Sequence, residues 1–528
     1  MATFVELINS LSAFLLAISI PAAAVAAMTC ENLLSLKLKH ATVTVAQPVP
    51  AGSLTSPGVS GRIRTTTAFC RVALTMKPSA DSDIKVEVWL PSSGWNVKFQ
   101  GVGNGGFAGA IDYQGLSDAV SKGYAAAATD TGHEAAATDA QWALNHPEKI
   151  VDFGYRAIHE TADHAKAVIR AFYGGAPKRS YFNSCSDGGR EALMEAQRFP
   201  ADYDGIVAGS PAGYWTHLLT QLIYNMQAIG TPESYIPSVK LRSIENNALN
   251  QCDAPDGVRD GVIENPTACH LDLQPLLCKG GETNECLTRP QLDALAKIYA
   301  GPKTSSGQQV IPGLSPGGEA EPTGWSAWID AAVPGTSLQY AFGTNFFKYM
   351  VYNDPNWDYQ ISTVDHNMSL ADEKLARSLN ATDPDLKDFR ARGGKLILYH
   401  GWADAAIPPR NTINYYKSIE RRMGPKESAS FVRLFMVPGM EHCSIGGAGV
   451  SMFVLSLVPH ADADHDVAAA VERWVEQGIA PERIIAGRPK SFSGTTEFSR
   501  TRPLCAWPKT SHYNGSGSTD EAANFTCQ

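Results

Sequence analysis

The stretch from Asn183 to Arg190 reads N-S-C-S-D-G-G-R, with a serine between a cysteine and an acid and two glycines behind. A serine hydroxyl attacks a carbonyl when a base takes its proton, an acid orients that base, and N–H donors receive the oxyanion. A strand, then S-x-S-x-G, then a helix is the context of such a nucleophile. The serine must sit at the tip of a strained turn, so its neighbours at −2 and +2 must be small. Ser186 has Ser184 and Gly188 there, so serine stands for the first glycine of G-x-S-x-G. The competing reading is a glycine-rich bend closed by a structural disulfide at Cys185.

Two later positions have the character of partners. Asp404 follows the apolar run K-L-I-L-Y-H-G (395–401), and His442 follows F-V-R-L-F-M-V-P-G (431–439). Both lie just past a predicted buried strand, in the chain order Ser, Asp, His that an α/β-hydrolase uses. Glu441 and His400 are rivals for acid and base, and His400 is expected to pack under the acid loop. A disulfide between Cys185 and Cys443 would hold Ser186 and His442 in register, where a misplacement of about 1 Å costs ~100-fold in rate. The oxyanion donors are expected to be the N–H of Asp187 and one in the glycine loop G-V-G-N-G-G-F (101–107).

A second cluster, C-D-A-P-D-G-V-R-D-G-V-I (252–263), places Asp253, Asp256 and Asp260 within eight residues. Carboxylates that close repel unless a cation sits among them, and oxygen ligands without His or Cys suit Ca²⁺. The spacing is not that of an EF-hand, and a solvated acidic turn is the alternative.

The elements that must carry these groups follow an α/β rhythm. A helix ending at Gly174 precedes the strand K-R-S-Y-F-N-S-C; the helix E-A-L-M-E-A-Q-R-F and the buried strand D-G-I-V-A-G-S-P follow it. The two later apolar runs read as strands covered on both faces, and the helix V-A-A-A-V-E-R-W-V-E-Q stops at Gly478. Between about Gly213 and Arg392 the rhythm is lost, and Trp325, Trp328, Trp357 and four of the ten cysteines fall there. This predicts an α/β-hydrolase core at 28–212 and 393–528, split by an inserted lid at 213–392; a separate second domain is the alternative.

Net charge of −9 argues against a nucleic-acid partner. Residues 1–27 read as a secretory signal peptide with an A-V-A site, although Glu6 and the lack of Lys or Arg depart from the usual leader. No later segment is apolar for the ~18–20 residues a membrane helix needs. A soluble, exported protein is therefore expected. Ten cysteines agree with export. Spacing suggests Cys252–Cys269, Cys278–Cys286 and Cys505–Cys527, leaving Cys30, Cys70, Cys185 and Cys443. Sequons at Asn367, Asn380, Asn514 and Asn524 would carry glycans in a eukaryotic host.

C-S-D-G-G (185–189), Asp404 and the pair His442–Cys443 resemble the CS-D-HC pattern of the tannase and feruloyl esterase family, across nearly the whole mature chain. R-F-P-A-D-Y-D-G-I-V-A-G-S, R-G-G-K-L-I-L-Y-H-G and the closing cysteine loop share in the likeness. The resemblance implies Ser186 as nucleophile, Asp404 as orienting acid and His442 as base, bridged by Cys185–Cys443, with Cys30–Cys70 the fifth pair. It implies Gly106 as the second oxyanion donor, and a lid calcium held by the three aspartates and the carbonyls of Val258 and Val262.

The reaction expected is ester hydrolysis through an acyl-enzyme, on an aromatic-acid ester. A feruloyl esterase releasing hydroxycinnamic acids from plant cell-wall polysaccharide is the reading. The lid stretch Phe347–Asp358 resembles that side of the family, and Lys348 is a poor stand-in for the arginine of its terephthalate-monoester branch. A tannase cleaving galloyl esters is the alternative. An inactive binding protein and a hydrolase using the aspartate cluster are the readings from other classes.

Overall fold

The computed structural model describes residues 27–54, 63–330, 335–444, 446–453, 462–490 and 497–528. The leader expected over 1–27 falls outside the described residues except for Ala27. Among the described residues no helix is long and apolar enough to cross a membrane.

Nine strands make one sheet: β1 Ala41–Val49, β2 Phe69–Met76, β3 Ile84–Pro91, β4 Lys98–Val102, β5 Ala125–Thr129, β6 Arg179–Cys185, β7 Gly205–Gly209, β8 Lys395–Gly401 and β9 Val432–Val437. Their spatial order is β1-β2-β3-β5-β4-β6-β7-β8-β9. From β1 through β2 and β3 to β5 the neighbours are antiparallel, and from β5 to β9 they are parallel. Parallel neighbours need crossover helices, which cover both faces and bury the strands between them. That is why G-I-V-A-G of β7 is buried at every position. Alternate side chains divide between two apolar clusters: Phe182, Ile206 and Leu396 enter one, and Tyr181, Val207 and Ile397 the other.

The glycine stops expected from the sequence close two of the helices packed on the sheet. Ala157–Tyr173 ends on Gly174 at φ +71°, and Val467–Gln477 on Gly478 at φ +73°. The antiparallel half of the sheet, β1 to β3, is absent from the sequence-based assignment. β2 alternates between buried and partly buried positions, and β1 is a partly exposed edge strand that tolerates Pro48. The antiparallel hairpin Arg483–Pro489 with Phe498–Cys505 is likewise unassigned there.

Residues 210–394 run from β7 to β8 and place no strand in this sheet among the described residues. Their regular structure is helical, and they supply most of two large apolar clusters. One includes Phe107, Ala406 and Ile407 from the core loops, and the other includes Ala405. This segment therefore packs on the loops that leave the carboxyl ends of β4 and β8.

Candidate active site

Ser186 lies between the end of β6 and the helix Asp187–Arg198, at φ +66°, ψ −122°. A non-glycine residue there is strained by roughly 1–3 kcal/mol, and persists only where its surroundings over-determine it. Here Ser186 N–H donates to Gly209 O at 3.0 Å, and its carbonyl accepts from Ala212 N–H at 3.1 Å. The glycines behind it are required sterically. A Cβ on Gly188 would lie 1.9 Å from Ser184 Oγ, and one on Gly189 would lie 2.4 Å from Gly209 O. Serine at 184 is thus accommodated because 188 is glycine.

β8 and β9 bring the partners. Asp404 lies in the loop after β8 and His442 in the loop after β9, and β8 stands between β7 and β9 in the sheet. Ser186 Oγ donates to His442 Nε2 at 2.9 Å, and His442 Nδ1–H donates to Asp404 Oδ2 at 2.8 Å. Asp404 is fully buried, and its Oδ1 accepts from the N–H groups of Ala406 and Ile407 at 2.8 and 2.9 Å. Burial pushes its carboxyl up, but the His442 and His400 partners outweigh this and hold it well below the usual carboxylate range. It therefore stays ionised, as an acid orienting an imidazolium must.

The two rivals resolve differently. His400 Nε2 lies 3.1 Å from both Asp404 Oδ2 and Ile407 O, so it carries the proton, and its Nδ1 accepts from Thr412 Oγ1 at 2.7 Å. It is a support beneath the acid. Glu441 is fully buried, and neither of its oxygens has a partner among the described residues. Burial pushes its carboxyl to about 10, and Asp404, Glu321, Glu319 and Glu245 add to the shift.

Cys185 and Cys443 form a disulfide with Cα atoms 5.8 Å apart across 258 residues of chain. It ties the residue before Ser186 to the residue after His442. The other pairs are Cys30–Cys70, Cys252–Cys269, Cys278–Cys286 and Cys505–Cys527.

The Asp187 side chain is committed to a buried ion pair with Arg190 Nε at 2.6 Å, while its N–H opens the helix and has no acceptor among the described residues. The N–H of Gly106 is likewise without one. Gly106 sits at φ +62°, and a Cβ on it would meet Ala137 O at 2.4 Å, so only glycine fits this turn. Gly188 N–H donates to Asn104 O at 2.8 Å and sets the two segments side by side.

Aromatic rings from the 210–394 segment close over this relay. Trp328 meets the His442 ring edge-on at 5.3 Å and stacks on Phe342 at 6.0 Å; Phe342 meets Phe107, beside Gly106, at 5.2 Å. The run of rings from His442 to the glycine loop was not legible in the sequence, because Trp328 and Phe342 are far from both in the chain.

The aspartate loop lies elsewhere, against the C-terminal hairpin. Asp253 accepts from Asp260 and Gly261 N–H at 3.3 and 3.0 Å, and Asp256 from Val258 N–H at 3.0 Å. Asp260 accepts from Val262 N–H at 3.2 Å and pairs with Arg502 and Arg500 at 2.5 and 3.2 Å. The loop is thus neither a plain solvated turn nor a closed cage. Its three carboxylates do not all come within 4.8 Å of one another. Burial, and then Asp260 and Asp253, push Asp256 to about 6; burial with Asp256 and Asp260 pushes Glu264 to about 8. An all-oxygen donor set in a pocket that disfavours its own charge fits a hard divalent cation.

One sequon is corrected by the fold. Asn367 is buried, with its amide donating to Ser362 Oγ at 3.0 Å and accepting from Tyr352 OH at 2.9 Å, so the folded chain offers it to no glycan.

Residues 70–528 match the family model described as tannase and feruloyl esterase. An uncharacterised esterase from Xanthomonas campestris pv. campestris is 42% identical over 529 residues, covering 95% of this chain and 91% of its own. A probable feruloyl esterase B-1 from Neosartorya fischeri is 35% identical over 474 residues, 88% of this chain and 87% of its own. The crystal structure of feruloyl esterase B from Aspergillus oryzae superposes with a TM-score of 0.88 at 29% identity, over 94% of this chain and 99% of that one.

Proposed function

Because the chain belongs to the tannase and feruloyl esterase family, we propose that it is a serine carboxylic ester hydrolase releasing hydroxycinnamic acids from plant cell-wall esters. The observation that carries this reading is the Ser186–His442–Asp404 relay on a strained turn, with contacts of 2.9 and 2.8 Å. Ser186 Oγ attacks the ester carbonyl as His442 Nε2 takes its proton, and the negative oxygen forms between the N–H groups of Asp187 and Gly106. The C–O bond to the alcohol breaks as His442 returns the proton to it. Water, deprotonated by the same imidazole, then cleaves the acyl-enzyme and frees the acid.

Residues 213–392 act as a lid, whose Trp328 and Phe342 give an aromatic acyl group a flat apolar wall next to the base. The loop Asp253–Val262 holds a structural Ca²⁺ through Asp253, Asp256, Asp260 and the carbonyls of Val258 and Val262, neutralising the lid's acidic pocket. The protein works outside the cell.

A hydrolysis panel tests the assignment: methyl ferulate, caffeate, p-coumarate, sinapate and gallate, and the terephthalate monoester. Ferulate and its relatives are expected to be the best substrates, and Ser186→Ala is expected to abolish turnover. A strong preference for methyl gallate makes the protein a tannase; full activity in Ser186→Ala removes the serine mechanism altogether.

A further inference from the structure

Glu191 has no part in the relay, yet it reaches the other half of the site. It lies in the second turn of the helix Asp187–Arg198 and is completely buried. Its Oε2 accepts the N–H of Asn104 at 2.9 Å, inside the glycine loop and two residues before Gly106. The approach needs Gly103 to have no side chain, since a Cβ there would lie 2.6 Å from that oxygen.

Asn104 is also held at its carbonyl and its side-chain Nδ2. Its carbonyl accepts from Gly188 N–H at 2.8 Å, and its Nδ2 donates to Thr129 O and Ala110 O at 2.8 and 3.0 Å. Of these bonds, the ones from Glu191 and Gly188 tie the loop to the helix that starts at Asp187. We propose that Glu191 is a positioning residue for the oxyanion hole, which fixes the Gly106 N–H relative to the Asp187 N–H by gripping the backbone of Asn104.

A buried carboxyl is an unusual choice for a purely structural latch, because it is costly to bury unless it is bonded or neutral. Glu191 Oε1 has no partner among the described residues, so only one oxygen is used. A single acceptor oxygen is what the latch needs, and a carboxyl or a primary amide both provide it. The proposal therefore separates acceptor from charge: Glu191→Gln keeps the acceptor, whereas Glu191→Met fills the volume and leaves the Asn104 N–H without one.

The inference rests on the serine-esterase reading but not on the acyl specificity. The assay accordingly uses whichever aromatic methyl ester the wild type hydrolyses fastest. Steady-state kinetics are combined with binding of an arylboronic acid, whose serine adduct places an oxygen in the oxyanion hole, and of the free aromatic acid. Glu191→Met is expected to lose about 100-fold in kcat, the scale of one lost oxyanion donor, with KM and acid binding within about threefold. Boronate affinity should fall by the same factor as kcat, and Glu191→Gln should restore both to within about fivefold.

Unchanged kcat in Glu191→Met overturns the proposal, as does a lost kcat with intact boronate affinity. So does a Glu191→Gln variant as slow as the methionine one. Should the methionine variant not fold, the glutamine variant alone decides: wild-type kcat and boronate affinity uphold the acceptor role, and a loss beyond tenfold in either overturns it. A Ser186→Ala protein that still turns over would instead be a failure of the serine-esterase reading.

Discussion

Glu441 immediately precedes the proposed base in the chain, fully buried and with its carboxyl pushed to about 10. An unfolded glutamate ionises near pH 4.3. Between those values the folded protein holds a proton that the unfolded chain has released. The stabilisation from that proton is complete below about pH 4 and is lost progressively as pH rises towards 10. Glu441→Gln removes the titration. The stability of wild type relative to Glu441→Gln should fall by about 1.4 kcal/mol per pH unit between pH 6 and 9. Denaturant melts at several pH values measure this, and parallel stability curves would contradict it. Asp404 is the opposite case: its lowered carboxyl stays charged far into acid, because two imidazoles and two backbone N–H groups face it.

At the scale of elements, the site is an agreement between loops whose strands are fixed by the sheet. The Cys185–Cys443 bridge joins the end of β6 directly to the loop after β9. Replacing both cysteines by alanine is expected to lower kcat by roughly 10- to 100-fold, the scale of an ångström-sized misplacement of reacting groups. Substrate binding should change little. Equal losses in kcat and in product-acid affinity would show that the bridge supports the pocket and not the relay.

The aspartate loop is a second such element. Asp260 answers to Arg500 and Arg502 of the C-terminal hairpin, and Glu264 accepts from Ser511 N–H at 2.7 Å. A cation there would join the lid to the end of the chain. Chelation with EDTA should therefore lower the melting temperature, and added Ca²⁺ should restore it, while the kcat of molecules still folded is unaffected. An unchanged melting temperature would leave the loop a salt-bridged turn.

On the scale of the whole molecule, the proposed catalytic groups and the proposed acyl wall belong to different parts of the chain. The core supplies Ser186, Asp404 and His442, and the segment between β7 and β8 supplies Trp328 and Phe342. Trp328→Ala should therefore lower kcat/KM for methyl ferulate by about tenfold, from one aromatic pair and its buried area. Hydrolysis of p-nitrophenyl acetate, which has no ring in its acyl group, should change much less. Equal losses on both esters would mean that Trp328 serves only to hold the His442 ring.

By itself the sequence determined the site wherever a local pattern sufficed. A serine after a strand and before glycines must turn sharply, and an acid and a histidine just past apolar runs must emerge at the carboxyl edge of a parallel sheet. The order Ser186, Asp404, His442 was legible for that reason, as were the glycine stops at 174 and 478. Tertiary structure decided what depends on residues far apart in the chain. It showed Glu441 to be a buried acid without a hydrogen-bond partner among the described residues, whereas His400 packs beneath the acid as its place in the sequence suggested. It set Glu191 against the backbone of Asn104 across 87 residues, and Trp328 against His442. The aspartates are close in sequence, but arginines of a distant hairpin hold one of them. Spacing along a chain specifies which way a side chain leaves its own element; what it meets there depends on how the sheet and the segment above it close.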